Sequence, residues 1–202
     1  MKFTNYTIAL NKPPRNAKTW DSTLPRLPSE KDSGKIHDMK TLFLGRHAKS
    51  SWDDSGLSDF ERPLNERGER DAPEMGRRLA QKYPTANVIL SSSAVRARTT
   101  AAILAKEWGY EGDLLLESGL YEASTSQMLD FIQELDDEAT SALVVAHNPT
   151  ITWMAHMLGN LSIGNVPTCG IVILKIPCDK WSEVEAGRAE LIEFDFPKKV
   201  ES

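Results

Sequence analysis

An arginine and a histidine follow directly after the first strongly apolar segment of this chain. The segment from Leu42 to Gly45 has the pattern of a buried strand, and it ends at Arg46 and His47. Ligands bind at the carboxyl ends of strands in open α/β sheets. At such an edge a guanidinium can stabilise phosphate charge while an imidazole supplies a nucleophilic lone pair. We therefore expect these two residues to handle a phosphoryl group.

Two later segments of the chain repeat this arrangement. Val88 to Leu90 predicts a second strand, which is followed by three serines and by Arg96 at the start of an alanine-rich helix. Leu143 to Ala146 predicts another strand, which ends at His147 and leads into a helix with Pro149 in its first turn. Two arginines and two histidines thus all fall at the carboxyl ends of predicted strands.

Each of these four side chains has a role that phosphoryl transfer requires. Charge spreads over the outer oxygens in the transition state, and the planar guanidinium groups of Arg46 and Arg96 suit two oxygens each. His47 must be neutral at the attacking nitrogen, and a backbone carbonyl that accepts from its other nitrogen would fix that tautomer. His147 is expected to donate to the phosphate, whose negative charge would favour the protonated imidazole.

The three segments resemble the histidine phosphatase superfamily, the phosphoglycerate mutase-like branch 1. Its members carry Arg-His near the amino end, a strand followed by Ser-x-x-x-Arg-Ala in the middle, and a histidine after Gly or Ala toward the end. The resemblance covers about Met39 to Phe196. Within the superfamily, Arg46 to Ser50 and Arg62 to Gly68 are most similar to the short, lidless SixA-type phosphohistidine phosphatases.

The resemblance implies catalysis by Arg46, His47, Arg96 and His147, with a phosphohistidine intermediate on His47 that water hydrolyses. It implies phosphate binding by Arg46, Arg96, His147 and Ser50, with no cofactor and no metal. The sequence agrees, because it has no Cys-rich or carboxylate-rich cluster at metal-ligand spacing.

Glu122 is the candidate general acid. The segment Leu120 to Glu122 matches the Leu-x-Glu that carries the proton donor in mutase-like relatives, and a carboxyl group near phosphate would have a raised pKa. The alternative is a solvated glutamate that opens the next helix. An imidazole leaves more readily than an alkoxide, so Glu122 would be dispensable for a phosphohistidine substrate.

Asp53 departs from the family pattern, because relatives place a phosphate-contacting asparagine there, and a carboxylate would repel the ligand. Either the loop from Ser51 to Phe60 directs Asp53 away, or the phosphate site is less cationic than in the mutases. Lys49 either offsets this charge or is an exposed loop lysine.

The composition predicts one globular domain. The 202 residues are 40% hydrophobic and 26% charged, enough for one core. The net charge of −5 disfavours nucleic acid or an anionic membrane as partner. The resemblance implies a phosphorylated protein or a small phosphate ester instead. There is neither a spanning apolar run nor a signal core, so we expect a cytoplasmic protein.

Residues 1–38 differ in kind from the rest. They are rich in Pro, Lys, Ser and Asp without periodicity, and we expect a flexible leader that is irrelevant to catalysis. Translation that starts at Met39, a cloning remnant and an organelle transit peptide are the alternatives to a native leader. Residues 39–202 are expected to form the histidine phosphatase domain.

The remaining patterns predict a three-layer α/β/α sandwich. Helical segments alternate with strands, which indicates a mainly parallel sheet, and the last two strands indicate an antiparallel edge. Helical spacing in Ile151 to Leu158 predicts that Trp153, Met154 and Met157 belong to the core and that His156 is not a ligand. No helical lid fits between Leu116 and Ser124.

Three functions remain in competition at this point. An open site suits a phosphohistidine phosphatase that acts on a protein. A general phosphomonoesterase for small metabolites would need Glu122. A phosphoprotein-binding module without turnover is the third, although binding alone would tolerate the loss of His47.

Overall fold

The structure is a computed structural model, and it describes residues 39–199. The predicted leader lies outside the described residues. The strands are β1 Met39–Arg46, β2 Val88–Ser92, β3 Leu115–Glu117, β4 Ser141–Ala146, β5 Ile171–Pro177 and β6 Glu190–Asp195. The α-helices are α1 Glu66–Lys82, α2 Val95–Trp108, α3 Thr125–Gln133 and α4 Thr150–Gly159.

The strands form one mixed sheet in the order β3-β2-β4-β1-β5-β6. Neighbours from β3 to β1 run parallel, whereas β5 is antiparallel to β1 and β6 is antiparallel to β5. The predicted antiparallel edge is therefore confirmed. Strand β5 begins at Ile171 and not at Cys169, because Cys169 has a φ of 62° and this left-handed backbone does not continue a strand.

Helices cover both faces of the sheet. Because strand side chains alternate, Leu42 and Leu44 of β1 enter one core cluster while Phe43 enters the other. Helices α3 and α4 pack on the first cluster and α1 and α2 on the second. This confirms the predicted three-layer sandwich. Residues 118–124 between β3 and α3 contain one 3₁₀ turn. Within residues 39–199, no helix is both long and apolar enough to span a membrane.

Helix α4 corrects one core prediction. It buries Ile151, Met154 and Leu158 against the sheet, but Trp153 on its other side is 57% exposed. The predicted helix is present, but Trp153 lies outside the apolar stripe that faces the core. Met157 is only partly buried.

The first turn of α1 is joined to the loop that follows His47. The Asn65 side chain caps the helix by accepting from the Gly68 N–H (3.0 Å), and the Asn65 N–H donates to the Lys49 carbonyl (3.0 Å). A Cβ on Gly68 would lie 2.2 Å from that carbonyl oxygen. Glycine is thus required here for close approach of two backbones.

We predict that Gly68→Ala lowers the free energy of unfolding by about 1–3 kcal/mol, because the new methyl group overpacks against the Lys49 backbone. Urea unfolding measures this change. Gly164→Ala is the matched control, since a Cβ there meets no atom within 4 Å. Equal stability of the two variants would show that the loop after His47 can shift without cost.

Candidate active site

The register of the sheet brings the two predicted site histidines together. Strands β1 and β4 pair in parallel with Arg46 opposite Ala146, so His47 and His147 leave the sheet side by side. The His47 backbone N–H donates to the Ala146 carbonyl (3.0 Å), and the two imidazole centroids are 5.0 Å apart. Both side chains are buried.

The hydrogen bonds of His47 define its tautomer. Its Nδ1 lies 2.7 Å from the carbonyl oxygen of Ala48, which can only accept, so Nδ1 carries the proton. The lone pair is then on Nε2, which accepts from the Nε–H of Arg96 (3.4 Å). Burial above all, and then the charges of Arg96, Arg46 and Arg62, lower the pKa of His47 to about 4 against the opposing effect of the Ala48 bond.

Ser92 orients the second histidine. Its hydroxyl oxygen accepts from the Ala94 N–H (3.3 Å) and lies 2.9 Å from Nε2 of His147. A hydroxyl group can donate as well as accept, so Ser92 can give its proton to Nε2 when the proton of a neutral His147 is on Nδ1. Burial, followed by the charges of His47 and Arg96, lowers the pKa of His147 to about 3. His147 is therefore neutral in this geometry, and the protonated form expected beside bound phosphate stays a prediction.

Arg96 is held by a residue that the sequence analysis did not single out. Its Nη2 pairs with Oδ2 of Asp59 at 2.7 Å, and its Nη1 donates to the Asp59 backbone carbonyl. Asp59 also accepts from the hydroxyl group of Tyr121 (2.7 Å) and from Nη1 of Arg62 (2.6 Å). Burial opposes ionisation of this carboxyl, but the bonds from Tyr121, Arg62 and Arg96 prevail and lower its pKa to about 2.

A third arginine, Arg62, joins the site from the Arg-Pro-Leu-Asn segment. Its Nη2 donates to the hydroxyl oxygen of Ser50 (2.6 Å) and its Nε to the Ser51 carbonyl (2.8 Å). The exposed Trp52 ring covers it, with 3.2 Å between the guanidinium carbon and the ring centroid. Ser50, a predicted phosphate ligand, thus lies against a buried cation with its own proton free to donate.

Two predicted phosphate ligands carry buried nitrogen atoms that lack a protein partner. Arg46 uses Nη1 to bond the Val166 carbonyl (2.8 Å), while its Nε bonds nothing. Among the described residues, the other buried side-chain atoms without a hydrogen-bond partner are Nδ1 of His147 and the hydroxyl oxygen of Ser93. Buried donors are normally satisfied. The Arg46 and His147 nitrogens suit an oxyanion beside His47.

The other two sequence candidates lie farther out. Asp53 is exposed and accepts from the Ser51 hydroxyl group (2.7 Å), so its carboxylate is engaged by the loop itself. Of the two alternatives for Asp53, the structure favours the loop that holds it away. Glu122 is also exposed, and it lines a cavity together with His147.

Sequence reasoning missed the residues that hold the predicted ligands. Arg62 lies in the segment Arg62 to Gly68, which carries part of the SixA resemblance but predicts no role for the arginine. Ser92 lies in the serine run before Arg96. Asp59 gave no signal, because a lone aspartate in a polar loop usually faces solvent. Within residues 39–199, no group of three or more His, Cys, Asp or Glu side chains could hold a metal ion.

We predict that both imidazoles stay neutral at pH 6 and titrate near the values of about 4 for His47 and about 3 for His147. The unfolded chain takes up these protons near 6.5, so stability should fall as the pH decreases from about 6.5 toward 3. Imidazole nitrogen shifts by NMR measure the titration, with the urea-unfolded chain as the control. Titration near 6.5 in the folded protein would contradict the buried, neutral site.

We predict that Asp59→Asn tightens the binding of inorganic phosphate about fivefold, because it removes a negative charge that competes for Arg96. Isothermal calorimetry measures this affinity. Asp53→Asn is the matched control on the same loop, since it removes the same charge where only Ser51 is bonded. Weaker binding to Asp59→Asn would instead mean that Asp59 keeps Arg96 in its binding geometry.

Comparison with known proteins supports the family that the sequence resembles. The model of the histidine phosphatase superfamily (branch 1) matches residues 42–130. An uncharacterised protein of Mycobacterium tuberculosis is 34% identical over 163 residues, which span 76% of this chain and 99% of that protein.

Two solved structures named for the phosphohistidine phosphatase SixA are also similar. The one from Nakamurella multipartitia is 25% identical with a TM-score of 0.68, and the match covers 80% of this chain and 98% of that chain. The one from Agrobacterium tumefaciens is 30% identical with a TM-score of 0.65, and it covers 77% and 96%. The chain belongs to the histidine phosphatase superfamily, branch 1, and is SixA-like.

Proposed function

We propose that this phosphatase hydrolyses phosphohistidine on a protein through a phosphohistidine intermediate on His47, without a metal ion. The observation that carries the proposal is the tautomer of His47. With Nδ1–H bonded to the Ala48 carbonyl, the Nε2 lone pair is directed into a pocket with Arg96 and His147. A neutral imidazole is the form that attacks phosphorus.

Each step follows from these groups. The Nε2 lone pair of His47 forms a bond to phosphorus while the bond from phosphorus to the leaving nitrogen breaks, and the leaving imidazole keeps the electron pair. The oxygen of a water molecule then forms a bond to phosphorus while the P–Nε2 bond breaks. Nε2 keeps the electron pair, and inorganic phosphate leaves with the protons of the water. Arg46, Arg96, Ser50 and Nδ1–H of His147 are the proposed donors to the phosphoryl oxygens in both steps.

The pocket charge suits a phosphoryl group that carries two negative charges. Arg46, Arg62 and Arg96 bring three positive charges, and Asp59 removes one. A preorganised excess of positive charge stabilises the transition state because no solvent has to reorient during the reaction. Arg62 therefore joins the proposed catalytic electrostatics, although its donors are bonded to Ser50, Ser51 and Asp59.

A protein substrate is favoured by the short connection over the site. The 3₁₀ turn Ser118–Leu120 is the only helix between β3 and α3, so these described residues leave room for a phosphorylated side chain that projects from another protein. The names of the two SixA structures point to the same substrate class.

The cytoplasm as location and residues 1–38 as a dispensable leader remain proposals from the sequence.

The second candidate is a phosphomonoesterase for small metabolites. It is favoured by the position of Glu122 on the cavity that adjoins His147, where a carboxyl group could protonate an alkoxide. Ester cleavage needs that proton far more than P–N cleavage does, because alkoxide is the poorer leaving group. The two candidates therefore differ in their need for Glu122.

We predict that the wild-type protein, with chelator present, cleaves a phosphohistidine-bearing protein and a simple phosphoramidate faster than an alkyl phosphate ester. His47→Ala should abolish turnover and serves as the blank. Glu122→Gln should lower ester hydrolysis about 10²-fold or more while sparing the phosphoramidates. Release of inorganic phosphate measures all three substrates.

Each other outcome would change the conclusion. Faster ester hydrolysis would favour the metabolite phosphatase, and equal losses on all substrates in Glu122→Gln would contradict the argument from leaving-group quality. Inhibition by chelator would show that a metal takes part. Phosphate binding without any turnover would mean a binding module.

A further inference from the structure

A cavity of about 540 Å³ opens beside His147, between α4 and the connection that leads into α3. Tyr121 and Glu122 form one wall, and His147, Thr150 and Trp153 form the other. Because His147 is also a ring neighbour of His47, this cavity adjoins the position proposed for the phosphoryl group. It has room for a substrate side chain beyond the group that carries the phosphate.

Trp153 gives this cavity an exposed aromatic wall. It is 57% exposed, one helical step from the buried Met154. The ring is held from behind by His156, with centroids 5.6 Å apart and planes at 86°, and His156 Nε2 in turn bonds the Ile163 carbonyl. An indole fixed in this way presents a preformed contact surface with little conformational entropy left to lose.

The charge of the cavity is negative. Glu122 is the one formally charged side chain among its described lining residues when His147 is neutral. Asp59, which bonds the Tyr121 hydroxyl group at 2.7 Å, is paired with Arg96 and Arg62, so Glu122 alone gives this cavity its charge. An additional phosphate or carboxylate on the substrate would be repelled here. A cation would be attracted both by Glu122 and by the face of an indole.

We propose that this cavity binds a lysine or arginine side chain that neighbours the phosphorylated residue of the protein substrate, with the cation between the Trp153 indole and the Glu122 carboxylate. This inference rests on the proposed function for the nature of the substrate. It assigns Trp153 a part in substrate selection, which is separate from the chemistry at His47.

The test compares two phosphohistidine peptides that differ only in one neighbouring residue, Lys or Glu. The wild-type protein should prefer the Lys peptide about tenfold in kcat/KM, and Trp153→Ala should reduce the ratio to about threefold or less. Trp153→Phe, the matched control, should keep most of the preference because it keeps an aromatic face. The ratio is taken within each variant, so that changes in overall activity cancel.

A binding measurement separates this inference from the proposed function. The unphosphorylated Lys and Glu peptides are titrated into the protein in the presence of inorganic phosphate, and the Trp153 indole N–H is followed by NMR. A shift that saturates with the Lys peptide at lower concentration would support the cavity even if neither phosphopeptide is hydrolysed. Equal binding of the two peptides to the wild-type protein, or a Lys preference in kcat/KM that survives in Trp153→Ala, would overturn it.

Discussion

The site depends on keeping one imidazole neutral among cations. His47 can attack phosphorus only with a free lone pair, and the hydrogen bond from its Nδ1 to the Ala48 carbonyl places that lone pair on Nε2. Burial and the nearby guanidinium groups make protonation of Nε2 unfavourable. The same cations are suited to hold the phosphoryl oxygens. One electrostatic arrangement thus serves both the nucleophile and the group that it attacks.

Such a pocket carries its own cost, because like charges repel in a buried environment. The loop between β1 and α1 compensates for it. Asp59 bridges Arg96 and Arg62, and Trp52 covers the Arg62 guanidinium. The loop therefore supplies both a counter-charge and a cover, and it leaves a pocket whose net charge matches a doubly charged phosphoryl group. In the proposed function, phosphate and Asp59 would share the Arg96 guanidinium, which would limit how tightly the product is held.

The fold supplies the precision that the chemistry needs. Parallel pairing of β1 and β4 sets the two histidines side by side, and a one-residue slip of register would direct them to opposite faces. The loop after His47 is in turn fixed to α1 through Asn65 and Gly68. Ser92, from the neighbouring strand β2, completes the arrangement by holding Nε2 of His147 at 2.9 Å from its hydroxyl oxygen. Three adjacent strands therefore each contribute to one imidazole pair.

The sequence alone determined the succession of strands and helices along the chain, the antiparallel edge and the proximity of Arg46, His47, Arg96 and His147. These follow from local periodicity and from the rule that parallel strands end at one edge of a sheet. Only the tertiary structure decided the roles of Asp59 and Ser92 and the exposure of Trp153. A lone aspartate or serine has no pattern, and an aromatic residue on a helix is buried or exposed by a single step of 100° around the helix axis. Contacts between distant segments place these residues, and such contacts leave no periodic trace in the chain.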